Sequence, residues 1–308
     1  MNALNQWTRG VIAVVLVVPA VAARGSGEPM DIAGESAQSD PPLPEDGEQR
    51  FNFLGLKAAP IDEPLVGDRP DFTESTLSVP YGRVQIESGY TYAYDSADGV
   101  RSQNHTYPEM LVRIGLVEDF ELRLFWEGWS HSREAFREAN DAGRTVNVTE
   151  RDDGGTDMSV GFKVHLWDQR QWIPDFGVIV EASLPTGASG QTSGDVDPSV
   201  KWLWAYDLTD DFSIAGNVNF GVPTSDRGRY FETAASLSLA YSITDRLGTY
   251  VEYFGIYPGD RNQADTHFAN GGFTYLIHNN LQLDIRSGMG LSGESEDFFT
   301  GAGFVVRF

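Results

Sequence analysis

Met158-Ser159-Val160-Gly161-Phe162-Lys163-Val164-His165-Leu166 is the stretch that decides how this chain folds. Met158, Val160, Phe162, Val164 and Leu166 are apolar, and Ser159, Gly161, Lys163 and His165 stand between them. A period of two is strand geometry, because successive side chains of an extended chain point to opposite sides. A helix turns by about 100° per residue and would scatter the same five apolar groups around its axis. The pattern recurs along the chain. Ile86, Tyr90 and Tyr92 alternate with Gln85, Glu87 and Thr91, and Phe120, Leu122 and Leu124 with Glu121 and Arg123. Val178 and Val180 alternate with Glu181, Trp202 and Trp204 with Lys201, and Val251 and Tyr253 with Glu252. Leu281, Leu283 and Ile285 alternate with Gln282, Asp284 and Arg286. Between Val84 and Phe308 we read twelve such segments, an even number.

The connections alternate as well. Short turns are expected at Glu118-Asp119, Asp168–Pro174, Asp207–Asp211, Thr244-Asp245-Arg246 and His278-Asn279-Asn280. Longer polar loops are expected at Asp95–Asn104, Arg133–Gly155, Thr186–Gly194, Val222–Gly228, Pro258–Ala264 and Ser292–Glu296. Strands of about ten residues, with short turns at one end and long loops at the other, describe a transmembrane β-barrel.

The period alone does not say which face meets water. In a soluble sandwich the apolar face packs a core. In a membrane barrel it meets lipid, and the polar face lines the lumen. Three features favour the membrane barrel. Aromatic residues, among them Phe120, Trp202, Trp204, Tyr206, Phe212, Tyr241, Tyr275 and Phe308, gather near segment ends as interfacial girdles do. The polar face alternates in sign, as charges enclosed in a barrel must pair. No long crossover interrupts the run of hairpins. The fold class is therefore all-β: an antiparallel transmembrane barrel of about twelve strands, preceded by a disordered segment.

Composition agrees. The 308 residues include 33 glycines, 12% aromatics and no cysteine, and carry a net charge of −23. Without cysteine, disulfide scaffolds, thiolate catalysis and cysteine-based zinc sites are excluded. Only three basic residues are lysines (Lys57, Lys163 and Lys201), and the acidic balance argues against nucleic acid as a partner. Residues 1–23 read as a signal peptide. Arg9 supplies the positive end, Gly10–Ala23 is uncharged and too short to span a bilayer, and Ala20-Val21-Ala22 offers a cleavage pattern. Residues 24–70 hold seven of the 15 prolines and ten acidic residues against four basic ones, which predicts a disordered tether. Phe51–Leu56 is a hydrophobic exception within it, read either as a docking segment or as a chance feature of a linker. The barrel is assigned to 71–308.

Asp68-Arg69-Pro70-Asp71-Phe72-Thr73-Glu74-Ser75 and Val79-Pro80-Tyr81-Gly82-Arg83-Val84-Gln85-Ile86-Glu87-Ser88-Gly89-Tyr90 resemble the start of the outer-membrane family labelled "putative MetA-pathway of phenol degradation". Asp119–Leu124, Asp195–Pro198, Leu281–Arg286 and the final Phe308 carry the resemblance onward, so that it covers 68–308. It implies localisation in the bacterial outer membrane and transport of small hydrophobic or aromatic solutes. The C-terminal alternation Phe304, Val306, Phe308 is similar to the assembly signal of bacterial outer-membrane proteins. Outer-membrane lipid and the barrel-assembly machinery are the expected partners, besides an unidentified solute.

Alternation places Glu87, Arg113, Arg123, Glu127, Lys163, Glu181, Lys201, Glu252, Asp284 and Arg286 inside the barrel. Two readings fit them: the lining of a selective pore, or a lattice of ion pairs that braces and fills the lumen. Twelve strands lie between filled small barrels and open porins, so size does not choose. Arg69, Asp71 and Glu74 sit just before the first strand. We expect partial insertion of this motif as a plug, with a periplasmic lead-in as the alternative. Acidic residues of the outer loops, such as Asp95, Glu134, Asp152 and Glu296, read as solvated groups or as sites for cations bridging to lipid headgroups.

No enzyme is expected. His105, His131, His165, His267 and His278 show no metal spacing, and no phosphate loop or nucleophile elbow occurs. Some twelve-stranded barrels are phospholipases, but Ser159 and His165 are six residues apart on one strand, roughly 20 Å. Ser183 and Ser199 remain open as cross-strand partners. No cofactor and no metal site are expected.

Overall fold

The computed structural model of the protein describes residues 51–52, 55–139 and 144–308. The expected signal peptide and most of the expected tether lie outside these. The described chain forms sixteen strands: β1 Val84–Ala97, β2 Val100–Val117, β3 Phe120–Trp126, β4 Trp129–Ala139, β5 Thr145–Gly155, β6 Met158–Trp167, β7 Asp175–Leu184, β8 Asp197–Asp207, β9 Phe212–Gly221, β10 Thr224–Ser225, β11 Gly228–Arg229, β12 Glu232–Ser242, β13 Leu247–Pro258, β14 Thr266–His278, β15 Leu281–Gly290 and β16 Phe298–Arg307.

Twelve of them close an antiparallel barrel in chain order: β1, β2, β3, β6, β7, β8, β9, β12, β13, β14, β15 and β16. The seam joins first to last, with Gln85 opposite Arg307 and Tyr94 opposite Phe298. Closure leaves no unpaired edge, which is what a strand protein needs to sit in a solvent that offers no hydrogen bonds.

The polarity is inverted relative to a water-soluble fold. Arg113, Arg123, Lys163, Lys201, Glu87 and Glu121 are almost wholly buried. Leu124, Phe162, Trp202, Leu237, Val251, Phe273 and Ile285 are exposed. Buried charge and exposed apolar side chains are the informative departures from the usual distribution. Together they mark an outer surface made for lipid. Near the short turns, Trp167 stacks on Phe176 at 4.9 Å, and Tyr241, Tyr275 and Phe308 are exposed. Near the other rim, tyrosines bond histidines across neighbouring strands: Tyr90 with His105 at 2.8 Å, Tyr107 with His131 at 3.0 Å and Tyr253 with His267 at 2.6 Å. These three histidines lie within β2, β4 and β14 and point outward.

The long loops are more regular than their composition implies. Asp95–Asn104, expected as a loop, is strand through to a two-residue turn at Asp98-Gly99, with positive φ of 51° and 81°. That is the Asp-Gly hairpin conformation. Of the Arg133–Gly155 stretch, also expected as a loop, residues 133–139 belong to β4 and 145–155 to β5, which pair along their length. β4 continues the line of β3 and pairs with the upper part of β2, Arg101 opposite Ala135. Part of the Val222–Gly228 loop forms the small β10–β11 hairpin. Above the rim both faces of a strand meet water, so nothing selects an alternating sequence and the residues read as loop.

Candidate functional site

The lumen contains the chain's own N-terminal segment. Leu65, Asp68, Arg69, Asp71, Phe72, Thr73, Glu74, Ser75, Thr76 and Val79 are all buried. The stretch expected as a tether reached 70; from Leu65 onward its residues are enclosed by the barrel. Farther out, the Asn52 amide donates to the Gly82 carbonyl at 2.8 Å, and the Ala59 amide to that of Tyr81.

Asp68 is the centre of the arrangement. Lys163 Nζ lies 2.9 Å from both its carboxylate oxygens, Arg123 donates to Oδ2, and Arg113 Nη1 lies 3.3 Å from Oδ1. Its own amide donates to Glu87 at 2.8 Å. Three cations around one carboxylate would leave excess positive charge. Glu121 offsets it, bonding Arg113 at 2.8 Å and Arg123 at 2.9 Å, while also accepting the Val79 amide at 2.6 Å.

The neighbouring residues of the segment are anchored in the same way. Glu74 accepts from Arg123 at 2.9 Å and from Lys201 at 3.0 Å, and Lys201 also pairs with Glu181 at 2.5 Å. Arg69 pairs with Glu109 at 2.6 Å and Asp284 at 3.4 Å. Arg286 donates to the Pro70 carbonyl at 3.0 Å. Glu252 accepts the amides of Phe72 and Thr73 at 2.8 and 2.7 Å, and Ser238 donates to Asp71 at 3.0 Å. Above them the Phe72 ring lies flat on Phe254 at 4.4 Å, and Phe254 stacks on Phe268. Two glycines make room. A Cβ at Gly89 or Gly303 would overlap the guanidinium of Arg69.

Of the ten lumen residues expected from alternation, nine join this network directly or through one ion pair. Glu127 does not. It falls in the break between β3 and β4, half-buried, and among the described residues no hydrogen bond or ion pair reaches it. Arg69, Asp71 and Glu74 all bond the wall. Sequence reasoning passed over Asp68, Glu109 and Glu121 as site residues. Glu109 and Glu121 were on the polar face, and Asp68 opens the Asp68–Ser75 motif, but which carboxylates meet which cations depends on strand register. Ser159 stands opposite Ser183, and His165 opposite Gly177. Ser199 stands opposite Glu181. The groups near His165 are carboxylates, not serines: its Nδ1 lies 3.3 Å from Asp119.

Glu296, in the loop before β16, is a titratable group of the outer rim. Burial, then the nearby Asp95 carboxylate, pushes it up to about 7.

Among solved structures, the COG4313 outer membrane channel from Pseudomonas putida F1 is similar, with 14% identity and a TM-score of 0.55, over 76% of this chain and 98% of that one. The KdgM porin aligns over 73% of this chain and 99% of that one, at 13% identity and a TM-score of 0.44. The first of these likenesses supports the fold. No curated protein sequence matches the chain. Residues 67–308, which take in most of the inserted segment and the whole barrel, match one family throughout, and the chain belongs to that family, described as "Putative MetA-pathway of phenol degradation".

Proposed function

We propose that the protein is a passive outer-membrane channel for small solutes, whose bore is set by the inserted segment Leu65–Val79. The observation that carries this reading is the attachment of that segment. It is held by side-chain contacts to the wall, not by strand pairing, so it occupies the lumen without being part of the barrel. The description of the family favours aromatic solutes of the phenol class. The similar structure from Pseudomonas putida F1 is described as a channel, which supports the same role. Passage would be by diffusion, because no nucleotide-binding motif occurs in the sequence.

A barrel with a permanently filled lumen is the second reading. The number of buried, mutually paired charges favours it, since groups so enclosed must stay partnered. Single-channel recording in planar bilayers separates the two. We compare the mature protein, Asp68→Asn, and a chain lacking residues 24–75. The channel reading expects discrete steps from the mature protein, larger in the deletion, with Asp68→Asn between them. A folded deletion variant that passes no current would overturn it and leave the filled barrel.

A further inference from the structure

We propose that the short-turn rim carries a binding site for a divalent transition-metal ion of the zinc type, formed by His165, Asp168 and Asp175. His165 is the last inward residue of β6, Asp168 opens the following turn, and Asp175 opens β7. One ligand atom from each comes together within 4.8 Å of the others. His165 Nε2 lies 3.2 Å from Asp175 Oδ1 and 3.7 Å from Asp168 Oδ1.

Two independent features point to a cation at this place. The His165 side chain is 8% exposed, and its Nε2 is buried without a hydrogen-bond partner. Asp175 Oδ1, which faces it at 3.2 Å, is buried and lacks a hydrogen-bond partner too. The two atoms are close but not aligned as donor and acceptor. An ion between them accounts for this. At the usual zinc–ligand distances of about 2.0–2.2 Å, the two separations subtend roughly 100° and 120° at the metal, which brackets tetrahedral coordination.

The second feature is on the other side of the ring. His165 Nδ1 is 3.3 Å from Asp119 Oδ1, in the β2–β3 turn. A proton on Nδ1 donated to Asp119 leaves the Nε2 lone pair facing Asp168 and Asp175. This carboxylate–histidine–metal relay fixes the ring and raises its basicity. Without a cation the lone pair would confront two anions. Among the described residues no lysine or arginine forms an ion pair with Asp119, Asp168 or Asp175. Asp168 is exposed, so solvent can complete the coordination. The ion would tie the β2–β3 turn, the β6–β7 turn and the start of β7 together, some distance along β6 from the Lys163 network.

The test is titration of Zn²⁺ into the chelator-treated, refolded mature protein by calorimetry, with Co²⁺ absorption as a second readout. We expect one ion per chain and an intense visible Co²⁺ spectrum of a tetrahedral site. His165→Gln and Asp175→Asn should each weaken binding at least about tenfold, and Asp119→Asn about tenfold, the usual range for a residue supporting a ligand. Heat-modifiable mobility in electrophoresis verifies that each variant is folded. Wild-type protein that binds no stoichiometric Zn²⁺ overturns the proposal, as does His165→Gln with unchanged affinity. The contacts are then those of a protonated histidine beside two carboxylates. Where a variant does not fold, the wild-type Co²⁺ spectrum decides: weak octahedral colour assigns the ion to loop carboxylates and overturns the site.

Discussion

At the scale of single residues, the protein places charge where most proteins place leucine. Asp68 is tolerable in the interior because Lys163, Arg123 and Arg113 surround it and Glu121 and Glu87 balance them. Breaking such a cluster costs more than its net contribution, since the partners left behind remain desolvated. Glu296 is the opposite case, a carboxyl buried beside another carboxylate. Its native pKa of about 7 lies above the ordinary ~4.3 for glutamate in an unfolded chain. The neutral form is therefore favoured in the folded protein. Its contribution to stability is complete below the unfolded value and is lost as the pH rises through about 7. The Gly290–Glu296 loop, closed by a 2.9 Å backbone bond, should exchange amide hydrogens faster at alkaline than at acidic pH after correction for intrinsic rates. Glu296→Gln should remove that difference; a variant with the same pH dependence would assign it to another group.

At the scale of elements, the inserted segment and the wall strands are matched by size as well as charge. Arg69 reaches Glu109 and Asp284 across a floor made by Gly89 and Gly303, opposite each other on β1 and β16. Gly303→Val puts branched carbon where the guanidinium lies. Overpacking of this kind costs about 1–3 kcal/mol. Because the segment is not part of the hydrogen-bonded barrel, the strain should be relieved by its release. We expect faster cleavage after Glu74 by a glutamate-specific protease and a lower urea midpoint, with the folded barrel retained. Unchanged cleavage would mean that the side chain finds another seat.

At the scale of the whole molecule, the seam between β1 and β16 is extended past its ten paired positions by Phe308. The Phe308 amide donates to the Val84 carbonyl at 2.8 Å, and the Val84 amide to that of Phe308 at 3.3 Å. Phe304 and Phe308 are exposed on the outer surface, and we propose that the assembly machinery reads them there. Deleting Phe308 should reduce the folded, heat-modifiable protein in cell outer membranes several-fold, with a smaller effect on refolding in detergent. Equal losses in both would make Phe308 a seam residue alone.

What the amino-acid sequence determined by itself is the strand period, the number of barrel strands and the inward set. Alternation is local and fixes which residues share a face, and a one-residue slip would turn every charge outward. Nine of ten expected lumen residues meet in the network for this reason. Glu127, beside the break between β3 and β4, lies near Glu109 and Glu296 without a bond to the network. The tertiary structure decided the rest. It seated the segment from Leu65 in the lumen, chose Asp68 as its hub, and brought Asp119, Asp168 and Asp175 to His165. Most of these contacts join residues tens to hundreds of positions apart, as with Arg69 and Asp284 or His165 and Asp119. Such contacts are set by register and closure of the barrel, and a local pattern carries no record of them.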